Sequence, residues 1–539
     1  MSSFVFRVFL LAVVVFFDFC LSAQAQYLDQ IGVKALRAVT TNLSGAGIPV
    51  AQAEAAAPYF QVNPAAVGQP VALFVYVVSN MTATTFPNSL GVESQHADDV
   101  ANQFYGITNG VATNVAKVYN YDANELINKY IFSTPTHNAN AAVVNQSFTF
   151  GQQPVAQQQQ LDDGYDDYSV TYKTLFVSPA NNYGNYNPPT SYNTTNVAAP
   201  GTAYNCICVG AYQNGVSYNS LGPTLDNGRC KPDITALSGA TSYSTPQIAG
   251  AAAVLMQAAL RGDGGSDTNS AADIRTLKAL LLNGAVKPAN WTNSTSFPLD
   301  ARYGAGVLNV FNAYQQLAGG KHGSIVSNLV SAGSAHPPTG ATGTVSALVG
   351  WDFRTNTSTK KSGPNSDSIH HYYFNVSNAT DFVRFTATAT LVWNRQSGQS
   401  SINDLDLALY NCADSNVVAE SVSYVNNVEH LCITNLAQGR YDLQVWKAGG
   451  SGIVSASEPY ALAWQFVPPP ILSASSDGMD AVLTWPLYPA GFKVEARTNL
   501  MTGVWSTNNL PGASIANGQN TLLLQATQEA QFFRLRQVP

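Results

Sequence analysis

The spacing of apolar residues changes its character near residue 318 of the 539-residue chain. Upstream of that point, continuous apolar runs alternate with segments in which apolar residues recur every three to four positions. Continuous runs are typical of strands buried on both faces, and the helical spacing is typical of helices that cover a sheet. Residues Ile31 to about Ala318 are therefore predicted to form a three-layer α/β domain with a mostly parallel sheet. The apolar runs are residues 71–78, 141–146, 174–179 and 206–211, and the helical patterns are residues 273–284 and 310–317.

Beyond this region the chain is predicted to be all β. Glycine, serine, threonine and proline are concentrated at 319–323 and 331–345, which indicates a linker or loose edge. Residues 325–467 contain short runs in which apolar and polar residues alternate, and this period predicts the antiparallel strands of a sandwich. Three consecutive prolines, 468–470, form a stiff spacer. Further short runs predict a small β domain over residues 471–539.

The first 25 residues are organised like a secretory signal peptide. Arg7 precedes an apolar run from Val8 to Phe19, and small residues at positions 23 and 25 place the cleavage site after Ala25. No other apolar stretch is long enough to span a bilayer. We therefore expect a mature chain that begins at residue 26, has no membrane span and is secreted, to the extracellular space or to a periplasm.

The charge composition of the chain limits the classes of molecule that it is expected to bind. Charged residues make up 11% of the sequence, against about 25% in an average protein. The formal net charge is −7, and the basic residues form no stripe. A surface of this kind disfavours nucleic acids and other polyanions as partners.

Five cysteines remain once the predicted signal peptide is removed, so at least one has no partner within the chain. Cys412 and Cys432 both lie in the sandwich region and are the predicted disulfide in an oxidising compartment. Cys206, Cys208 and Cys230 lie close together in the sequence. No histidine or second Cys-x-Cys motif completes a metal site with them. They are therefore expected to be buried thiols, or one disulfide and one free thiol.

The segment GATSYSTPQIAGAAAVLMQ, from Gly239 to Gln257, carries the clearest chemical signal. It sets Ser242 at the start of an apolar helix of small residues, with Pro246 in or near the first turn. A helix start offers unpaired N–H donors and the positive end of the helix dipole to a developing negative charge, as an acyl-transfer nucleophile requires. A serine at this position is more often an ordinary N-cap. The surrounding residues decide between the two roles.

Those residues resemble the subtilisin-like serine peptidases, or subtilases. ATSYSTPQIAG, residues 240–250, matches the serine signature of that family, and KPDI, residues 231–234, matches the segment that leads into it. The resemblance extends to the closing segment at 303–317. It implies a subtilisin-like fold for residues 26–318, with Ser242 as the nucleophile of a Ser-His-acid triad.

The resemblance implies His96 as the general base. SQHADDVANQFYG sets it at the start of a helix whose apolar positions Val100, Ala101 and Phe104 face inward. Val100 and Ala101 match the histidine segment of the family. The other upstream histidine, His137, lies in the polar turn TPTHNAN and is expected in a surface loop.

Asn182 falls on the oxyanion asparagine of the family. A buried strand at 174–177 runs into SPANNYGN, where subtilases have a strand followed by a Gly-Asn pair and a further glycine. Asparagine is also common in turns, but the register with Gly184 favours the functional role. The Asn182 amide and the Ser242 N–H would then hold the developing oxyanion.

The acid of the triad departs from the family pattern. Subtilases carry an aspartate at the end of their first core strand, whereas GAGIPVAQAEAA places Glu54 there. A glutamate can orient a histidine, but its extra methylene moves the carboxylate by about 1.5 Å. Glu93, Asp98 and Asp99 are alternatives, although the two aspartates are also explained as acidic residues in a first helical turn.

A substrate cleft follows from the same resemblance. Residues 141–148 resemble the family strand that ends in Asn-x-Ser and pairs with an extended polypeptide substrate, an arrangement that gives affinity with little sequence reading. The residues that match pocket walls are Ser147, Phe148, Thr149, Pro179, Ala180 and Asn181.

The sequence as a whole predicts a secreted serine endopeptidase that requires no cofactor and forms an acyl-enzyme through a Ser-His-Glu variant of the triad. The alternative is a catalytically inactive subtilase-like protein that acts as an extracellular or cell-surface binding module. Residues 325–467 resemble the jelly-roll-like domains that follow many secreted peptidase domains. Within them Asn403, Asp404 and Asp406 are candidate Ca²⁺ ligands, although carboxylates at a strand entry are more often solvated.

Overall fold

The computed structural model describes residues 27–539, except 56, 183–195, 335–341, 379–382, 478–479, 509 and 526–530. The predicted signal peptide and Gly184 therefore lie outside the described residues. Among the helices that are described, none combines the length and the apolarity needed to cross a membrane.

A nine-stranded sheet forms the centre of the N-terminal domain, and a two-stranded sheet (β2 and β5) lies beside it. The strands are β1 Pro49–Glu54, β2 Tyr59–Gln61, β3 Phe74–Val78, β4 Met81–Ala83, β5 Val92–Glu93, β6 Lys117–Asp122, β7 Val143–Gln146, β8 Leu175–Pro179, β9 Ile207–Gln213, β10 Val216–Ser217 and β11 Ile234–Leu237. The order in the large sheet is β10-β9-β8-β7-β1-β6-β3-β4, with β11 beside β9. Only β4 and β10 run antiparallel to their neighbours, which confirms the predicted parallel sheet.

Strands β1 and β8, which both lie inside the sheet, are buried on both faces. In β1 every residue from Val50 to Glu54 is buried, and in β8 all five residues are buried. Because β1 pairs with β6 on one side and β7 on the other, its carboxyl end lies in the middle of one sheet edge. Side chains at that end, including Glu54, are therefore held among several other strand ends.

Helices cover both faces of the sheet. They are α1 Val33–Val39, α2 Gln95–Phe104, α3 Ala123–Glu125, α4 Val155–Tyr172, α5 Thr241–Arg261, α6 Thr268–Ala271, α7 Ile274–Asn283 and α8 Val310–Ala318, with a π-helical segment at Leu126–Ile131. The bounds of α7 and α8 lie within one residue of the predicted helical patterns. Helix α5 is 21 residues long and buried along most of its length, because alanine and other small apolar residues line it on all sides.

A β-sandwich follows, as predicted. One sheet has the order β12-β14-β19-β16-β17 and the other β13-β20-β15-β18. Their strands are β12 Val326–Val330, β13 Val349–Thr357, β14 Asp367–Val376, β15 Phe385–Trp393, β16 Leu405–Asn411, β17 Val417–Ser421, β18 Val428–Leu436, β19 Gly439–Lys447 and β20 Ser457–Val467. The two inner faces bury a core that includes Trp393, Trp464 and Phe374.

The C-terminal region is a small β module with a separate core. Its strands are β21 Ser473–Asp477, β22 Asp480–Pro486, β23 Phe492–Arg497, β24 Ser514–Ala516, β25 Gln519–Gln525 and β26 Phe532–Gln537. They form a four-stranded sheet of order β21-β22-β25-β24 and the pair β23-β26. Leu483, Trp485 and Val494 contribute to the core between them.

The segment predicted as a linker at 319–323 is packed, and the two larger domains share one core. The Trp351 N–H donates to the Gly320 carbonyl, and the His322 N–H donates to the Trp351 carbonyl. Apolar residues of the sandwich, including Val392 and Ala463, belong to the same buried cluster as the helices of the α/β domain. The composition of the segment was misleading because its glycines allow close packing here: a Cβ at Gly319 would lie 2.3 Å from the Val349 carbonyl oxygen.

Polar contacts cross the same boundary. The Arg395 guanidinium forms ion pairs of 2.9 and 2.8 Å with Asp163 and Asp167 of α4. Asn427 donates to the Tyr204 carbonyl at 2.9 Å. The sandwich therefore stabilises the face of the α/β domain on which it packs.

The predicted Cys412–Cys432 disulfide is wrong. Both cysteines are free thiols, because they lie on opposite sheets of the sandwich. Cys412 follows β16 beside Arg440, whereas Cys432 lies in β18, where Lys287 of the α/β domain interacts with it. Leu431 and Ile433, on either side of Cys432, point into the sandwich core. Successive side chains of a strand point to opposite faces, so the Cys432 thiol points out of the sandwich and away from Cys412.

A chain that ends at Ala318 should be insoluble or should unfold without cooperativity, because the apolar surface of α7 that packs on β15 and β20 becomes exposed. Each large apolar side chain contributes about 1.5–3 kcal/mol when it is buried, while the net stability of a domain is only about 5–15 kcal/mol. The measurement is solubility and thermal unfolding. A chain ending at Val467, which keeps the sandwich, is the control and should unfold cooperatively. A soluble, cooperatively folded chain ending at Ala318 would contradict the shared core.

Candidate active site

Glu54 and His96 are hydrogen-bonded to each other. Glu54 ends β1, and His96 is the second residue of α2, whose N-cap is Ser94. The His96 Nδ1–H donates to Glu54 Oε2 at 2.8 Å. The carboxylate is buried, whereas the imidazole side chain is 40% exposed. In this pair the acid is buried at the end of a strand, and the base is partly exposed to solvent.

The Glu54 carboxylate, which accepts this hydrogen bond, raises the pKa of His96 above its ordinary value of 6.5. Partial burial of the ring acts in the opposite direction, and the charges of Glu54 and Asp99 add to the increase. An acid bound to Nδ1 also fixes the tautomer that leaves Nε2 as the acceptor of a proton.

The alternative acids bind other groups. Glu93 accepts a hydrogen bond from the Asn63 side chain, Asp98 accepts one from the Asn63 backbone N–H, and Asp99 accepts one from Gln95. Burial, with the neighbouring Glu93 and Asp99 carboxylates, raises the pKa of Asp98 to about 7. Of the four candidates, Glu54 is the carboxylate that the structure places on His96.

Ser242 is the second residue of α5, so the helix begins one residue before it. Pro246 lies four residues further on and has no N–H, which leaves the Ser242 carbonyl without its usual helical donor. The Ser147 hydroxyl supplies the donor at 2.8 Å. The Ser242 Oγ in turn lies 3.4 Å from the Ser147 carbonyl oxygen. The end of β7 and the start of α5 are thereby held together around Ser242.

Asn182 follows β8 and turns toward the same helix end. Asn181 has a left-handed backbone, with φ of 85°, which asparagine tolerates better than most residues. The turn brings Asn182 Oδ1 within 2.7 Å of both the backbone N–H and the hydroxyl of Thr241. Because both donors bind the oxygen, the Asn182 NH₂ group points away from Thr241, and no described residue accepts a hydrogen bond from it.

His96 and Ser242 approach through their helices. Helix α2 packs against α5, and the ring of His96 lies 5.9 Å from the ring of Tyr243. Within the described part of the chain, His96 and Ser242 are not hydrogen-bonded to each other. Catalytic hydrogen bonds are often long in ligand-free sites and shorten when substrate binds.

The predicted pocket residues divide into two groups. Ser147 is buried against Ser242, and residues 147–149 follow β7 without pairing to any strand that the structure describes. Pro179 and Ala180 are also buried, and Ala180 packs with Val197 and Cys208. The side chain of Ala180 therefore faces the protein interior.

Other candidate residues lie elsewhere. His137 is exposed and hydrogen-bonds to the Lys129 carbonyl, as expected for a surface loop. Cys206, Cys208 and Cys230 are buried free thiols, and burial raises the pKa of Cys206 to about 12 and of Cys230 to about 11.

The three candidate Ca²⁺ ligands, Asn403, Asp404 and Asp406, do not line one common site. The Asn403 side chain is engaged with Ser455 and Glu458, which removes it from a metal site. Asp404 and Asp406 line a cavity of about 410 Å³ together with Asp367 and Glu420. Calcium binding by the two aspartates stays a prediction.

Thr241 and Gln52 were missed by sequence reasoning. Thr241 orients Asn182, and Gln52 donates a hydrogen bond to Glu54. One signal for Gln52 was present in the sequence: apart from the terminal Glu54, it is the polar residue of a strand that is buried on both faces.

The α/β fold, with a serine at the start of a buried helix and a carboxylate-bound histidine beside it, is typical of the serine peptidases. Residues 87–306 match the model of the Subtilase family. This match confirms the predicted resemblance to the subtilases. His96, Asn182 and Ser242 lie inside the matched region, whereas Glu54 lies before it.

Solved structures give more distant likenesses. Tripeptidyl peptidase 2 is 12% identical, with a TM-score of 0.31, over 75% of this chain and 43% of that chain. The chain thus covers less than half the length of that protein. A lanthipeptide protease is 15% identical, with a TM-score of 0.36, over 55% of this chain and 96% of that chain. No curated protein matches the chain by sequence.

The pKa of His96 should be above 6.5 in the folded protein and should fall in Glu54→Gln, because the carboxylate that favours the imidazolium is removed. Since the folded pKa is raised, the pair stabilises the fold fully below pH 6.5, and this contribution is lost as the pH rises through the folded value. NMR titration of the histidine ring signals measures both effects. A His96 pKa that is the same in the two proteins would contradict the observed pairing.

Proposed function

We propose that the protein is a secreted serine endopeptidase that forms an acyl-enzyme through Ser242, His96 and Glu54. The observation that supports this proposal most directly is the 2.8 Å hydrogen bond from His96 to a buried Glu54, beside the helix end that bears Ser242. The match of residues 87–306 to the Subtilase family model supports the reaction class. The predicted signal peptide supports secretion.

In the proposed reaction, Ser242 Oγ attacks the carbonyl carbon of a peptide bond while His96 Nε2 accepts its proton. The tetrahedral intermediate collapses, and His96 donates that proton to the departing amine. Water then attacks the acyl-enzyme with His96 again as the base, which releases the acid product and restores Ser242. Glu54 stays ionised throughout and stabilises the imidazolium that forms in each step.

The oxyanion would bind between the Asn182 NH₂ group and the Ser242 backbone N–H. Thr241 supports this arrangement, because its two donors fix the Asn182 oxygen on the opposite side of the amide. The Ser242 N–H lies in the first turn of α5, where backbone N–H groups have no partner within the helix. Donors that are fixed before the reaction stabilise the developing charge without reorganisation.

An extended polypeptide is the proposed substrate. Residues 147–149 leave β7 at the sheet edge that carries Ser242, and their backbone pairs with none of the described strands. A peptide could add there as a further strand, which binds main-chain groups and depends little on the substrate sequence. Phe148, partly buried against the ring of Phe150, would border the first pocket.

Ser242→Ala should abolish proteolysis and labelling by a fluorophosphonate without unfolding the protein, since the hydroxyl lies at a helix end and not in the core. The corresponding loss in subtilisin is on the order of 10⁶ in kcat. Ser244→Ala is a matched control, because Ser244 lies in the same helical turn but is buried and bonded to the Thr241 carbonyl. It should keep its labelling. Labelling that persists in pure Ser242→Ala would refute the assignment of the nucleophile.

Glu54→Gln should lower kcat/KM by up to about 10⁴, because the amide stabilises neither the correct tautomer nor the imidazolium. Glu54→Asp should lower it by about 10², because the shorter side chain withdraws the carboxylate and small misplacements are costly. The measurement is hydrolysis of a peptide substrate by both variants. If both retain near wild-type rates, Glu54 has no catalytic role.

A further inference from the structure

Glu54 has a second hydrogen-bond partner, Gln52, which has no role in the proposed reaction. Gln52 lies two residues earlier on β1, so its side chain leaves the same face of the strand. Its Nε2 donates to Glu54 Oε1 at 2.8 Å. The two carboxylate oxygens are thus divided between two donors, with His96 on one and Gln52 on the other.

The same amide also binds the helix that bears His96. Gln52 Nε2 donates its other hydrogen to the Ala97 carbonyl at 2.9 Å. Ala97 is the next residue after His96, so one side chain ties the acid to the backbone of the base. Both hydrogens of the amide are then used.

Tyr105 sets the orientation of the amide. Its hydroxyl donates to Gln52 Oε1 at 2.7 Å, and both side chains are completely buried. With the amide reversed, its oxygen would face the Glu54 carboxylate and the Ala97 carbonyl, two acceptors. Only one orientation of the amide satisfies all three partners.

We propose that Gln52, oriented by Tyr105, is the positioning residue that lets a glutamate serve as the acid of this triad. Gln52 fixes the carboxylate of the longer side chain, stabilises its charge and holds α2 at the distance that this side chain requires. The inference rests on the proposed function of Glu54. Gln52 and Tyr105 are buried and would contact neither the substrate nor the reacting atoms, so both act through Glu54.

Loss of Gln52 should therefore change proton affinity as well as rate. In Gln52→Met the size of the side chain is kept, but the buried Glu54 carboxylate loses a donor and holds the proton that it shares with His96 more tightly. We expect kcat to fall about 10- to 100-fold at constant KM, and the acidic limb of kcat/KM to move about one pH unit upward. Tyr105→Phe should shift the acidic limb of the kcat/KM profile in the same direction, but by a smaller amount.

The other charged or titratable groups near the pair remain in these variants. They are Asp98 and Asp99 of α2, Tyr243 of α5, Asp122 at the end of β6, and Tyr76 of β3. Tyr76→Phe is the matched control, because it also deletes a buried tyrosine hydroxyl, one bonded to the Val62 carbonyl. It should lower stability without moving the limb. An equal shift in Tyr76→Phe would show a general structural effect and overturn the proposal.

Two measurements separate this proposal from the proposed function. Fluorophosphonate labelling of the unaltered protein tests whether Ser242 is activated at all. NMR titration of His96 in Gln52→Met and Tyr105→Phe tests the positioning role even if the protein does not hydrolyse peptides. An unchanged or lowered His96 pKa in Gln52→Met would overturn the proposal, whatever the activity. The double variant should be no worse than Gln52→Met alone, because Tyr105 acts through Gln52.

Discussion

The close approach of α2 and α5 at Gly250 is the constraint on which the candidate site depends. A Cβ at this position would lie 2.7 Å from the Val111 Cβ and 3.2 Å from the Phe104 carbonyl oxygen. Interiors are packed too densely to absorb such a contact without moving a helix. Since α2 carries His96 and α5 carries Ser242, the absence of a side chain at Gly250 sets how closely base and nucleophile can come together.

The first turn of α5 is attached to the sheet edge at a point where one of the helix's own hydrogen bonds is missing. Pro246 removes one helical donor, and Ser147 at the end of β7 replaces it on the Ser242 carbonyl. On the other side, Thr241 binds Asn182 through two donors. Three segments that are distant in the sequence are thereby fixed around one helix end. Preorganisation of this kind lets a site stabilise charge without rearranging.

The sandwich takes part in this architecture as a stabilising layer. Its strands pack on α7, and Asn283 of α7 accepts a hydrogen bond from Thr390 of β15. The contacts of Arg395 with α4 add a second attachment. This cover keeps the apolar side chains of α7 out of contact with water.

Local sequence determined the fold class, the bounds of α7 and α8, and the positions of Ser242 and His96, because periodicity and short motifs are properties of neighbouring residues. Tertiary structure alone decided which of four carboxylates binds His96, since that depends on β1 and α2 meeting across 42 residues. It also decided that Cys412 and Cys432 point apart and that the glycine-rich segment after Ala318 is packed. In the sequence, Gln52 appeared only as a polar residue two positions before Glu54 in a buried strand. Its partners Glu54, Ala97 and Tyr105 come together only when the sheet and the helix pack, because hydrogen bonds between distant residues are set by distance in space and not by order along the chain.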